Sequence, residues 1–162
     1  MKKPLLHELF VMELQDTYDA EQQIMAALPE MIETASNAAL KKGFEQHLEQ
    51  TEDHISRLEE IAEMIECDVE GEGCEGMEGL LSEGSEIMEL DMEAPILDLA
   101  LISAAQKVEH YEIAAYGTLI TMAEEMGHTV EAKLLKSTLD EEKKTDDELT
   151  KVAEALYREI PE

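Results

Sequence analysis

In a chain of 162 residues, 40 Asp and Glu stand against 12 Lys and Arg, a formal charge of -28. That balance argues against nucleic acid or anionic membrane as a partner, since both are held through a basic footprint, and no apolar run approaches the roughly 18 to 20 residues of a spanning helix. Two Cys make no disulfide framework, and a palette of Glu, Leu, Ala, Met and Lys with no Trp belongs to helices.

The N-terminus, Met1-Lys2-Lys3-Pro4, leads into a periodic acidic helix without the apolar core of a signal peptide, so the protein is expected in the cytoplasm. One domain over residues 1–162 is expected. The first long helix is predicted from about Leu5 to Ala35, with a kink at Pro29. Ser36-Asn37 can cap the second, about Ala38 to Glu66. Gly71, Gly73 and Gly76 then break the pattern, and a shorter amphipathic piece follows from about Met77 to Leu90. Its Leu80, Leu81, Ile87 and Met88 can cover the bundle or build a dimer face. Pro95 suits the first turn of the third long helix, about Pro95 to Met126. Gly127 suits a helix stop, and Thr129 can cap the fourth, about Val130 to Arg158. Short turns within each pair and a long crossover between pairs predict an all-α, ferritin-like four-helix bundle of two antiparallel hairpins.

Each helix carries one seam, followed in steps of three and four residues. The seams run Phe10, Leu14, Thr17, Glu21, Ile24, Leu28; then Leu40, Phe44, His47, Thr51, His54, Leu58; then Ile102, Ala105, Glu109, Glu112, Tyr116, Leu119; and Leu135, Thr138, Glu142, Thr145, Leu149. All are apolar at the ends and polar in the middle, so antiparallel packing brings the polar residues to one level. The halves also resemble each other weakly, pairing Glu21 with Glu109 and Thr51-x-x-His54 with Glu142-x-x-Thr145.

Carboxylates gathered in a bundle core need a cation or a proton to offset their mutual repulsion. Carboxylate with imidazole suits iron or manganese, and bundle di-metal sites draw one Glu from each of two helices and Glu-x-x-His from each of the other two. The expected metal ligands are Glu21, His54, Glu109, Glu112 and Glu142. The pattern is incomplete: Thr145 stands where a histidine would follow Glu142, and Thr51 where a glutamate would precede His54. Glu112 can fill a vacancy, and Gln50 or Asp146 can reach in if a helix rotates. His47, nearly two turns or roughly 10 Å before His54, is read as structural or as a partner of a ligand, and His110 as a residue that orients one. His7 and His128 are expected at the surface. Tyr18, Tyr111 and Tyr116 are core packing with a satisfied hydroxyl, or donors and radical partners near a metal. Most Met are core filler, and a redox role for Cys67 and Cys74 is the lesser reading.

The sequence resembles the YciE/YciF ferritin-like family over nearly its whole length. The resemblance is carried by Asp16-Thr-Tyr-Asp-Ala-Glu-Gln-Gln, His47-Leu-Glu-Gln-Thr, Cys74-Glu-Gly-Met-Glu-Gly-Leu, Ala105-Gln-Lys-Val-Glu-His-Tyr-Glu-Ile-Ala-Ala-Tyr-Gly-Thr-Leu and Leu139-Asp-Glu-Glu-Lys-Lys-Thr-Asp. It implies a ferritin-like bundle, a homodimer, a bound Fe (as di-iron) or Mn, and a bacterial stress response with inferred ferroxidase activity. Three readings stay open: a ferroxidase acting with oxygen or peroxide, a di-manganese enzyme that disproportionates peroxide, and a non-enzymatic dimeric stress protein whose metal site is degenerate or structural.

Overall fold

The computed structural model describes residues 3–160. Five helices follow in order: α1 (Lys3–Thr34), α2 (Ala38–Met64), α3 (Glu75–Met88), α4 (Ile96–Met126) and α5 (Thr129–Tyr157), with no strand among the described residues. Helices α1 and α2 form one hairpin and α4 and α5 the other, while α2 packs on α5 and α1 on α4, closing a ferritin-like four-helix bundle. The crossover carries α3 along α1 and α4. Its Leu80, Leu81, Ile87 and Met88 pack against the bundle core, so of the two uses open to them they serve the covering one.

Local chemistry sets the helix ends. Asn37 has extended backbone, and its Oδ1 accepts hydrogen bonds from the Ala39 N–H at 2.9 Å and the Leu40 N–H at 3.0 Å. Buried Asp98 of α4 accepts from the Ser36 and Asn37 N–H groups at 2.8 and 3.0 Å, which ties this turn to the other hairpin. Gly127 ends α4 at φ 81°, a left-handed position that glycine adopts without strain. Two expected boundary roles differ: Thr129 lies inside α5 behind His128, whose side chain makes no cap bond, and Pro95 sits one residue ahead of α4. Helix α1 runs through Pro29 without interruption.

The polar middle of the seams divides the core. One apolar cluster contains Ile24, Leu28, Leu40, Phe44, Leu101 and Leu149, and the other contains Phe10, Leu14, Leu58, Ile61, Leu119 and Leu135. Full burial of each large apolar side chain contributes about 1.5–3 kcal/mol, so two apolar blocks hold four helices in register on either side of a layer that costs free energy to bury.

Candidate metal centre

The layer between the clusters consists of Thr17 and Glu21 of α1, His47, Thr51 and His54 of α2, Glu109 and Glu112 of α4, and Thr138 and Glu142 of α5, each no more than 3% exposed. The threonines fold back or accept: Thr17 and Thr51 donate to the Glu13 and His47 carbonyls, and the Thr138 hydroxyl accepts from Arg57. The glutamates and histidines converge. His54 Nδ1 lies 2.9 Å from Glu142 Oε1 and 3.3 Å from Glu21 Oε1. His47 Nε2 lies 3.3 Å from Glu109 Oε1, with its Nδ1 4.0 Å from Glu142 Oε2.

Two groups of potential ligand atoms form, each within 4.8 Å: Glu21, His54, Glu112 and Glu142, and His47, Glu109, Glu112 and Glu142. Glu112 and Glu142 belong to both, so the layer has the form of two adjoining pockets that share two carboxylates. Helices α1 and α4 each give one pocket its own carboxylate, Glu21 and Glu109, and α2 gives each its histidine. Glu109 and Glu112 stand one turn apart on α4, which lets one helix serve both the shared and the separate position.

His47, read from the sequence as structural or as a partner of a ligand, stands among the converging side chains. Its distance from His54 was measured along the helix axis, yet the two rings lean together to a centroid separation of 6.3 Å. Its place on the seam was the available signal. Both imidazoles come from α2, and Thr145, where a histidine was expected on α5, turns its hydroxyl to the Glu141 carbonyl at 3.1 Å.

The other residues weighed in the sequence fall mostly outside the centre. His110 is largely exposed and pairs outside the centre with Asp146 at 3.1 Å. Asp146 also accepts from Gln106, so it does not reach in. Of the tyrosines only Tyr116 touches the layer, its hydroxyl donating to Glu21 Oε1. Tyr18 donates to Glu59 at 2.9 Å, and Tyr111 to Asp16 at 2.8 Å. His128 is half-buried and stacks on Phe10. Cys67 and Cys74 are free thiols, and burial raises both above their ordinary value, the opposite of an activated thiolate.

A support for His54 was not foreseen. Its Nε2 lies 2.9 Å from Glu141 Oε2, and Arg57 holds that carboxylate through both terminal nitrogens, at 2.6 and 3.1 Å. Glu141 is not on the seam, which is why the periodicity passed over it. When Nε2 donates to Glu141, Nδ1 faces Glu21 and Glu142, the arrangement by which a carboxylate fixes the orientation of a ligating imidazole.

The electrostatics of the layer follow from burial and from carboxylates crowded together. Burial, then the nearby Glu142 and Glu21 charges, push the Glu109 and Glu112 carboxyls well above the usual carboxylate range. Burial also lowers His47. For His54 burial acts downward too, but the adjacent Glu142 and Glu21 carboxylates outweigh it and push the group up to about 10. Burial opposes ionisation of Glu142, yet His54 and His47 hold it below its ordinary value. Without metal, then, protons offset the layer's charge. Nine buried side-chain atoms of these six residues nevertheless lack a well-directed hydrogen bond, including both Glu112 oxygens, both His47 nitrogens and both Glu142 oxygens, the last in spite of the close approach of His54 Nδ1. Natural cores rarely leave such atoms unpaired. Oxygen and imidazole donors suit iron or manganese, and two divalent ions balance four carboxylates, so the residues present fit a metal pair.

Residues 5–160 match the family described as DUF892, a domain of unknown function. The chain belongs to this family. Protein YciF of Escherichia coli (strain K12) is 44% identical over 154 residues, covering 94% of this chain and 93% of that one. The crystal structure of that organism's YciF, described as a stress protein, matches with a TM-score of 0.93 at 43% identity, over 99% of this chain and 100% of that one. YcfI of Rhodopseudomonas palustris, whose description puts forward a structural role, matches with a TM-score of 0.86 at 42% identity, over 90% and 92%. As a DUF892 member, the chain shares with YciF an all-helical bundle, and among the described residues no helix is long and apolar enough to cross a membrane.

Proposed function

We propose that the buried layer binds two divalent ions, iron or manganese, and that the protein is a di-metal-carboxylate protein acting in a bacterial stress response. In this reading Glu21 and His54 would hold one ion and His47 and Glu109 the other, with Glu112 and Glu142, which belong to both groups, available to each. The observation that carries it is the set of nine buried donor atoms without a hydrogen bond, all on these six residues. Buried polar atoms left bare cost about 1–3 kcal/mol each, and metal ligation removes that cost.

With Fe(II) as substrate the centre would be a ferroxidase. Two Fe(II) surrender one electron each, and peroxide takes up both, with two protons, to give water. The four carboxylates favour the more highly charged ferric product, and Glu141 with Arg57 keeps His54 Nδ1 turned inward. A homodimer belongs to the same reading: Leu5, Leu9 and Met12 expose apolar surface along one edge of α1.

The test is metal content by mass spectrometry on protein purified without chelator, followed by anaerobic Fe(II) and Mn(II) titration. About two ions per chain are expected, falling to none in Glu112→Ala/Glu142→Ala that retains its helical circular dichroism. Ferric absorbance after peroxide addition then separates the ferroxidase from a purely structural centre, and sustained oxygen release marks a peroxide-disproportionating manganese enzyme. Failure of wild type to take up either ion leaves a non-enzymatic stress protein with a proton-compensated core.

A further inference from the structure

Beside the layer, α1, α2, α4 and α5 enclose an apolar cavity of about 330 Å³. That volume is within the range of small-molecule sites. Its walls include Ile24, Leu28, Phe44, Val108, Leu149 and Val152, and its inner end is closed by His47 and Glu109. Both are almost fully buried, and neither His47 nitrogen nor Glu109 Oε2 has a hydrogen-bond partner. The cavity thus joins unpaired polar atoms at its inner end to an apolar tunnel wall.

The rim has a different character. Lys42 of α2 and Lys151 of α5 line it and are exposed. Among the described residues neither lysine takes part in an ion pair, although acids outnumber bases 40 to 12 in the whole chain. Glu148, the acid on the rim, is engaged by Lys144 at 3.7 Å. Gly43 also lines the cavity, in the interior of α2, where glycine costs about 0.5–1 kcal/mol relative to alanine. A Cβ there would meet nothing within 4 Å, so packing against the protein does not require the glycine. It leaves the cavity open.

We propose that this cavity binds an unbranched aliphatic carboxylate, its chain lying along the apolar wall toward His47 and Glu109 and its carboxylate held at the rim by Lys42 and Lys151. The orientation follows from charge and burial: the two exposed lysines attract the anionic head and leave it in contact with water at the rim, while the apolar chain fills the buried apolar wall. The site shares His47 and Glu109 with the proposed metal centre but none of its other four residues, so the two readings are tested apart.

The probe is decanoate, titrated calorimetrically into metal-free and metal-loaded protein beside decylammonium, which has the same chain and the opposite charge. Saturable binding of one decanoate per chain is expected, at least tenfold tighter than decylammonium. Non-specific attraction to a protein of charge -28 gives the reverse order. Gly43→Leu should abolish binding while metal uptake and helical circular dichroism persist, and Lys42→Glu/Lys151→Glu should weaken decanoate at least tenfold. Absence of decanoate binding to wild type, binding untouched by Gly43→Leu, or equal affinity for the two probes overturns the proposal. Because metal uptake is measured on the same samples, loss of the metal reading leaves this result standing, and the converse holds too.

Discussion

Glu112 is 1% exposed, and neither of its oxygens has a hydrogen-bond partner. Such a residue is retained against stability, since replacing buried ionic groups by apolar ones of similar volume is often neutral or stabilising by roughly 1–4 kcal/mol. Glu112→Leu should therefore raise the melting temperature of the metal-free protein, by about 2–4 °C per kcal/mol for a domain of this size, and reduce metal uptake. Calorimetry beside metal analysis checks both, and a destabilised metal-free variant would contradict the assignment. The pH dependence follows from the same layer. Glu109 and Glu112 are raised in the folded state by burial and by neighbouring carboxylates, so their contribution is fully present below the ordinary carboxyl value of 4.5 and is lost as pH rises through their folded values. The contribution of His54 is present below 6.5 and is lost as pH rises through about 10. Glu142, held low by the histidines against its burial, loses its contribution as pH falls through its folded value. Metal-free protein should thus be most stable in mildly acidic solution and soften toward alkaline pH. Metal-loaded protein should show the opposite slope over the same range, because protons compete with metal for the ligands. Thermal melts of both forms across pH check this, and parallel curves would remove the link between the raised carboxyls and the metal.

At the scale of elements, the crossover is held by a compact set of polar contacts. Asp19 Oδ2 accepts from the Cys74 N–H and from Gln23 Nε2, both at 2.6 Å, and Gln23 also reaches the Cys74 carbonyl. Tyr111 OH lies 2.9 Å from Cys74 Sγ, and its ring meets the position a Cβ on Gly76 would take, at 3.0 Å. These bonds pin the start of α3 to α1 and α4, over the side of the bundle its apolar residues cover. Asp19→Ala leaves the Cys74 N–H without its acceptor and should cost about 1–3 kcal/mol. Hydrogen exchange should show lost protection in residues 74–88 with α2 and α5 unchanged; uniform loss would mean that α3 does not open separately. The Asn37 cap was legible because its chemistry is local. The α3 clasp was not, because Asp16, Asp19 and Tyr111 meet Cys74 only after both hairpins have packed.

Over the whole molecule, a charge of -28 makes the folded state repel itself, a penalty that salt screens. The screening length shrinks from about 30 Å at 0.01 M to about 3 Å at 1 M salt. The melting temperature should rise across that range by roughly 2–4 °C for each kcal/mol of repulsion relieved. Scanning calorimetry in sodium chloride with the pH held constant tests this, and a flat response would assign the acidity to local pairs in place of long-range repulsion. The seams that bury Glu21, Glu109, Glu112 and Glu142 explain how so acidic a chain still folds. Most acids lie outward, and Glu21, Glu109, Glu112 and Glu142 are flanked by the two apolar clusters.

The sequence by itself determined the five helices, the hairpin pairing and the convergence of Glu21, His54, Glu109, Glu112 and Glu142, because helical periodicity reports which face is buried and short turns report which helices are neighbours. Only the tertiary structure decided that His47 joins them, that His110 and Asp146 turn away, and that Glu141 with Arg57 supports His54. Those outcomes depend on side-chain direction and on distance across the bundle, and a periodic pattern fixes a residue's level on a helix without fixing the reach of its side chain.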